Sequence, residues 1–157
     1  MIEIILHTDG GSRGNPGPAA IGALIERRDD STAERQLLAE LSQTIGVATN
    51  NTAEYEALVA GLSWVKGYLS AITALESSES KPQSQRPGKI ICFLDSELVV
   101  RQVNGVYKTK QPSTAAYVAR VHALCAEIGV PVRFEHVLRV QNKRADMLVN
   151  KALDAQP

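Results

Sequence analysis

The strongest constraint on the fold is a strand that runs into one aspartate and then into a glycine-rich turn, "IEIILHTDGGSRGNPGPAAIG", Ile2 to Gly22. Ile2, Ile4 and Leu6 alternate with Glu3, Ile5 and His7, the period of a strand, which is expected to end near Asp9. Gly10, Gly11, Gly14 and Gly17, mixed with Asn15, Pro16 and Pro18, supply turn chemistry, and an extended apolar run resumes over Ala19–Arg27. A flexible backbone directly after a carboxylate admits three readings: a phosphate-cradling loop, a plain hairpin, or a metal site that a large polymer must approach closely. The first fails on chemistry, because that loop needs Gly-Lys-Ser/Thr opening a helix. Here no lysine follows, and the next segment reads as a strand. A charged turn over Glu26–Glu34 leads into a third strand, Arg35–Val47, so the first part of the chain is an antiparallel meander.

The hydrophobic period then changes. From Thr52 onward, Leu58, Leu62, Val65, Leu69 and Ile72 recur at alternating steps of four and three, one face of a helix. Asn50, Asn51 and Thr52 suit its start, and Glu54 falls in its first turn. The polar tract Glu76–Lys89 reads as a surface loop. "KIICFL", Lys89–Leu94, has the continuous apolar character of a buried central strand and ends on Asp95. Ser96 can cap a helix to about Val103, stopped by Asn104 and Gly105. Pro112–Ile128 is a further helix with Tyr117, Val121, Leu124 and Ile128 on one face. Val130–Val137 is a strand, and Asn142–Leu153 a last helix with Asp146 near its start. The order βββαβααβα implies one α/β domain over residues 1–157. Its five-stranded mixed sheet has three antiparallel strands, then parallel ones, flanked by helices.

Asp9 and Asp95 each end a strand, and Glu54 and Asp146 each open a helix. Open α/β sheets gather ligands beyond the carboxyl ends of their parallel strands, where helix starts also gather. Four carboxylates at one rim repel and raise one another's pKa. A hard divalent cation resolves this, and all-oxygen ligation suits Mg²⁺ or Mn²⁺. Two such ions can activate water and stabilise the leaving oxygen of a phosphodiester. Any one of these acids taken alone is equally a turn or cap residue; the case rests on all four together.

Composition narrows the setting. Lys+Arg and Asp+Glu are both 17, so the net charge is zero and nucleic-acid binding must rest on local patches. Cys92 and Cys125 sit in apolar runs and read as buried thiols of a reducing compartment. No apolar run reads as long enough to span a membrane, and the N-terminus lacks a signal-peptide layout, so a cytoplasmic protein with no membrane partner is expected.

"TDGGSRGNPGPAAIG", "TNNTAEYEAL", "DSELVVRQVNG" and "QNKRADMLVNKAL" resemble, in order, the four motifs of type 1 ribonuclease H. The resemblance spans nearly the whole chain and points to the compact branch found among archaea and some bacteria. It implies a ribonuclease H-like fold and an endonuclease that cuts the RNA strand of an RNA–DNA hybrid, leaving 5′-phosphate and 3′-hydroxyl ends. It also implies two Mg²⁺ ions per site, with Mn²⁺ able to substitute. Asp9 would bridge the ions, Glu54 and Asp95 would complete one shell, and Asp146 the other. Gly10, Asn15, Thr49, Asn50 and Asn51 fall at substrate-contact positions, Thr49 at one used for a DNA-strand phosphate. Helix capping is the structural alternative for the asparagines.

Three departures stand out. Glu97 replaces a common Gln, either weakening a substrate contact or serving as an exposed helix-start residue. The segment between Asp95 and Asp146 is too short for a basic protrusion, leaving Lys108 and Lys110 as a small patch, and no appended hybrid-binding domain is expected. Little room remains for a loop carrying a catalytic histidine. His136 has a plausible spacing for a catalytic role, but alternation puts it on one face with Val132 and Phe134, so a partly buried structural histidine is equally open. Arg139, at the strand end, is favoured as the group that stabilises phosphate charge, with a surface ion pair as its bland alternative. His7 and His122 read as structural, and Trp64 and Tyr68 as packing. A monomer is expected. Double-stranded RNA as a further substrate, and a non-catalytic hybrid-binding module, remain alternatives.

Overall fold

The computed structural model describes residues 1–78 and 86–156. Its elements are β1 (Ile2–Ser12), β2 (Gly17–Asp29), β3 (Arg35–Ala48), α1 (Asn50–Ser78), β4 (Lys89–Leu94), α2 (Glu97–Val103), α3 (Pro112–Ile128), β5 (Val132–His136), a 3-10 turn (Arg139–Asn142) and α4 (Lys143–Asp154). The sheet runs β3-β2-β1-β4-β5. The first three strands pair antiparallel, while β1–β4 and β4–β5 pair parallel. This is the mixed sheet that the change of period implies.

The face carrying Ile4, Leu6, Ile90, Cys92 and Leu94 packs under α1 with Leu58, Leu62, Val65 and Leu69, and Val121, Leu124 and Ile128 of α3 join the same core. Each such side chain, fully buried, contributes about 1.5–3 kcal/mol. α4 lies on the opposite face, where Ala20 meets Val149, Ala152 and Leu153. The Trp64 and Tyr68 rings stack at 5.3 Å and pack against the core. His122 Nε2 lies 2.8 Å from the Val103 carbonyl, tying α3 to α2. Cys92 is buried, whereas Cys125 is only half-buried; both are free thiols.

Several boundaries differ from the sequence reading. β1 does not end near Asp9; it continues to Ser12, because the glycines pair with β2 as readily as larger residues do, Gly10 opposite Ile21 and Gly11 opposite Ala20. α1 starts at Asn50, the first residue of the expected Asn50–Thr52 entry, because Thr49 Oγ1 accepts the Thr52 N–H at 3.1 Å and so caps the helix. It runs to Ser78, taking in the first residues of the polar tract, where no glycine or proline stops it; residues 79–85 of that tract lie outside the described residues. β5 is shorter than 130–137 and begins after Pro131, which has no N–H to give a ladder. Arg139 consequently opens the 3-10 turn and does not end the strand. One apolar stretch is also longer than expected. Asn50–Leu75 is long and apolar enough to cross a membrane by length and composition, with a mean hydropathy of 1.4. Its apolar stripe is instead the core face of α1, buried against the sheet.

Candidate active site

The site forms where β4 stops. In the parallel ladder, Thr8 is opposite Leu94, the last residue of β4. Asp9 is therefore the first residue of β1 beyond that pairing, and Asp95 the first residue after β4. Two carboxylates stand side by side at the carboxyl end of the central strands.

Two glycines bring in the other two. A Cβ on Gly10 would fall 2.1 Å from the backbone carbon and oxygen of Ala53 and 2.5 Å from the Glu54 nitrogen, so only glycine lets the first turn of α1 rest on β1. Gly22, opposite Asp9 on β2, meets α4: its Cβ would fall 2.3 Å from the Ala145 carbonyl oxygen. The turn before Asp146 thus lies against the sheet at the level of Asp9. A pair of amides fastens the glycine-rich turn to α1. Asn15 Oδ1 accepts the Asn50 N–H at 3.0 Å, and Asn50 Oδ1 accepts the Ser12 N–H at 2.9 Å.

Asp9, Glu54 and Asp95 each offer one oxygen, all within 4.8 Å of one another. Asp146 reaches Asp9 from α4 and lines the same cavity, of about 510 Å³, together with Gly10, Asn50 and Arg139. Burial pushes the Asp9 carboxyl up to about 7, with Asp95 and Asp146 adding to the rise and a hydrogen bond from Glu54 opposing it. Glu54 is pushed well above the carboxylate range by burial and then by Asp9. Burial raises Asp95 as well, against the pull of Arg139. Glu54 Oε2 is sealed from solvent without a hydrogen-bond partner. Elevated carboxyls, an all-oxygen donor set and an orphaned buried oxygen suit a hard divalent cation.

Asn15, Thr49 and Asn51 line a neighbouring cavity of about 650 Å³, with Lys108, Lys110 and Tyr117. His136 is exposed, not half-buried, because β5 ends on it, and it lies close enough to Asp95 to act on its charge. Arg139 is exposed beside Asp95. Glu97 is exposed in the first turn of α2, where it takes the Arg101 guanidinium at 2.8 Å.

Three residues of the site escape sequence reasoning. Asn142, 1% exposed, donates through Nδ2 to the Thr8 carbonyl at 2.9 Å and stands close enough to the Asp95 side chain to favour its charged form. Asn150 donates to the Asp146 carbonyl at 3.1 Å and lies 3.4 Å from its Oδ2. Arg13, in the glycine-rich turn, reaches Asp154 Oδ1 at 2.5 Å and Asn150 Oδ1 at 3.4 Å. Only Asn150 carried a signal, its i+4 spacing from Asp146 on a helix.

The RNase H family model matches residues 2–154. The bifunctional protein Rv2228c of Mycobacterium tuberculosis is 38% identical over 154 residues, 98% of this chain and 36% of that protein. Ribonuclease HI of Halobacterium salinarum is 36% identical over 148 residues, 94% of this chain and 63% of that protein. The chain therefore spans less than two thirds of either relative. Among solved structures, RNase H1 of Halobacterium salinarum matches with a TM-score of 0.75 at 34% identity, covering 98% of this chain and 99% of that one. LC11-RNase H1 in complex with RNA/DNA hybrid matches with a TM-score of 0.71 at 39% identity, covering 96% of each chain.

Proposed function

Because the chain belongs to the RNase H family, on its type 1 branch, we propose that it is an endonuclease that hydrolyses the RNA strand of RNA–DNA hybrids, with 5′-phosphate and 3′-hydroxyl products. The observation that carries this reading is the convergence of Asp9, Glu54 and Asp95 within 4.8 Å, with Asp146 in the same cavity. The four acids would hold two Mg²⁺ ions, Asp9 serving both, and Mn²⁺ fits the same oxygen donors. When bound, such ions supply an activated water and charge stabilisation for the leaving oxygen of an in-line displacement.

The remaining work falls to the chain's own groups. Arg139 would place a guanidinium against phosphate charge beside Asp95. Asn142 would keep the Asp95 carboxylate aimed at the cavity, and Asn150 would do the same for Asp146. The side-chain NH₂ groups of Asn15 and Asn50 make no hydrogen bond among the described residues. They are thus available to 2′-hydroxyls and base edges in a minor groove. Thr49 and Asn51, with Lys108 and Lys110 nearby, would receive the DNA strand in the adjacent cavity.

The test is end-mapped cleavage of labelled hybrid, double-stranded RNA and duplex DNA in Mg²⁺, Mn²⁺ or chelator. RNA-strand cuts in the hybrid that need the cation are expected. Binding without cutting in either cation would leave a non-catalytic module, and preferential cutting of double-stranded RNA would reassign the substrate.

A further inference from the structure

Arg13 and Arg139 are the two cations among the residues that line the four-acid cavity. Arg139 stands on the Asp95 side, and Arg13 on the Asp146 side through Asn150. The main chain of Arg13 is fixed: its N–H donates to the Pro18 carbonyl at 2.8 Å, and the neighbouring Ser12 N–H is held by Asn50. Its head is not fixed in the same way. The guanidinium pairs with Asp154, and the two side chains are 49% and 68% exposed. Such an exposed pair contributes little to stability and is readily exchanged. A non-bridging phosphate edge offers the guanidinium two acceptors in a matching plane, which a single oxygen of Asp154 does not.

We propose that Arg13 binds a phosphate of the RNA strand next to the one that is cut, on the Asp146 side, and that Asp154 holds it in reserve until substrate arrives. This rests on the hybrid-cleavage reading above. It makes Asp154 a competitor of the substrate, so neutralising an acid outside the cavity should improve binding.

The experiment measures KM, kcat and hybrid affinity by fluorescence anisotropy, across a salt series, for the wild type, Arg13→Ala, Arg13→Lys and Asp154→Asn, with thermal melts of each. Losing one phosphate contact is expected to raise KM about tenfold in Arg13→Ala with kcat little changed, and to make the salt dependence shallower by about one. Arg13→Lys should fall between, and Asp154→Asn should lower KM about two- to threefold. A purely structural ion pair would move both variants the same way, lowering the melting temperature and worsening KM together. A role confined to orienting Asp146 through Asn150 would lower kcat, not raise KM. Either result, or an unchanged KM in Arg13→Ala, overturns the proposal. If the wild type does not cut hybrid, the cleavage reading fails, and the anisotropy series still decides whether Arg13 binds phosphate.

Discussion

Asp9→Asn should make the metal-free protein more stable while it abolishes cleavage. The Asp9 carboxyl is 6% exposed and lies among three other acids. Its rise from 3.8 to about 7, at about 1.36 kcal/mol per unit, is a folding penalty of roughly 4 kcal/mol once the group must ionise in the native state. Asparagine has nearly the same shape, never ionises, and can still hydrogen-bond Glu54. Part of the local bonding will be lost, so a gain of about 2–4 kcal/mol is expected, or roughly 5–10 °C in melting temperature for a chain of this size. Below about pH 4 the carboxyl is protonated in both folded and unfolded chains, and the two proteins should melt alike. Between about pH 4 and 7 the unfolded chain ionises first, so wild-type stability falls relative to the variant; above about pH 7 the gap is constant. Mg²⁺ should narrow it by stabilising the wild type alone. Melts at pH 4, 5.5 and 8, in chelator and in Mg²⁺, test this. The reasoning is refuted if the variant melts below the wild type at pH 8 in chelator, or if the gap is the same at pH 4 and pH 8.

The same protonation makes cation binding release a proton, so half-saturating Mg²⁺ should rise about tenfold for each pH unit below 7, read by titration calorimetry in buffers of different ionisation enthalpy. Gly10→Ala should cost about 3 kcal/mol or more and displace the first turn of α1; a soluble variant with wild-type melting and cleavage would refute the close approach. Asn142→Ala should reduce activity about 10- to 100-fold and raise the Mg²⁺ requirement, as loss of a ligand's supporting hydrogen bond does; an unchanged Mg²⁺ requirement would remove its role on Asp95. Arg139→Ala should lower kcat well beyond His136→Ala, and the reverse order would move the phosphate-facing role to the histidine.

Much of this fold is legible because its local signals agree. Both ends of α3 fall where they were read, since Pro112 fits the first helical position and Gly129 adopts the left-handed conformation, φ 72°, that ends a helix. Ser96 and Asn104 bracket α2 for similar reasons. The acid quartet was read from element ends, and it still meets at one rim, although β1 runs on past Asp9 to Ser12 and Glu54 lies just beyond the first turn of α1. What stayed hidden depends on partners far along the chain. Asn142 reaches the Thr8 carbonyl across 134 residues, and no spacing announces such a bond. The start of α1 was ambiguous because Asn50, Asn51 and Thr52 all suit a helix entry, and the observed bond puts the cap one residue earlier, on Thr49. His136 was placed inward by alternation, which loses its meaning on the last residue of a strand.

The glycine-rich stretch takes a different meaning from this geometry. Flexible backbone beside Asp9 suggested room for a polymer, but the steric reason for Gly10 and Gly22 is the approach of two helices from opposite faces of one strand pair. Those helices carry Glu54 and Asp146, so the glycines set the spacing of the acids before any substrate arrives. Asn15 is likewise engaged within the protein, its amide oxygen holding the Asn50 N–H that opens α1. Asn15→Ala would therefore loosen the turn from the helix that bears Glu54 as well as remove a donor for the hybrid. A fall in hybrid affinity in that variant counts as a lost substrate contact only if the melting temperature and the Mg²⁺ requirement stay at their wild-type values.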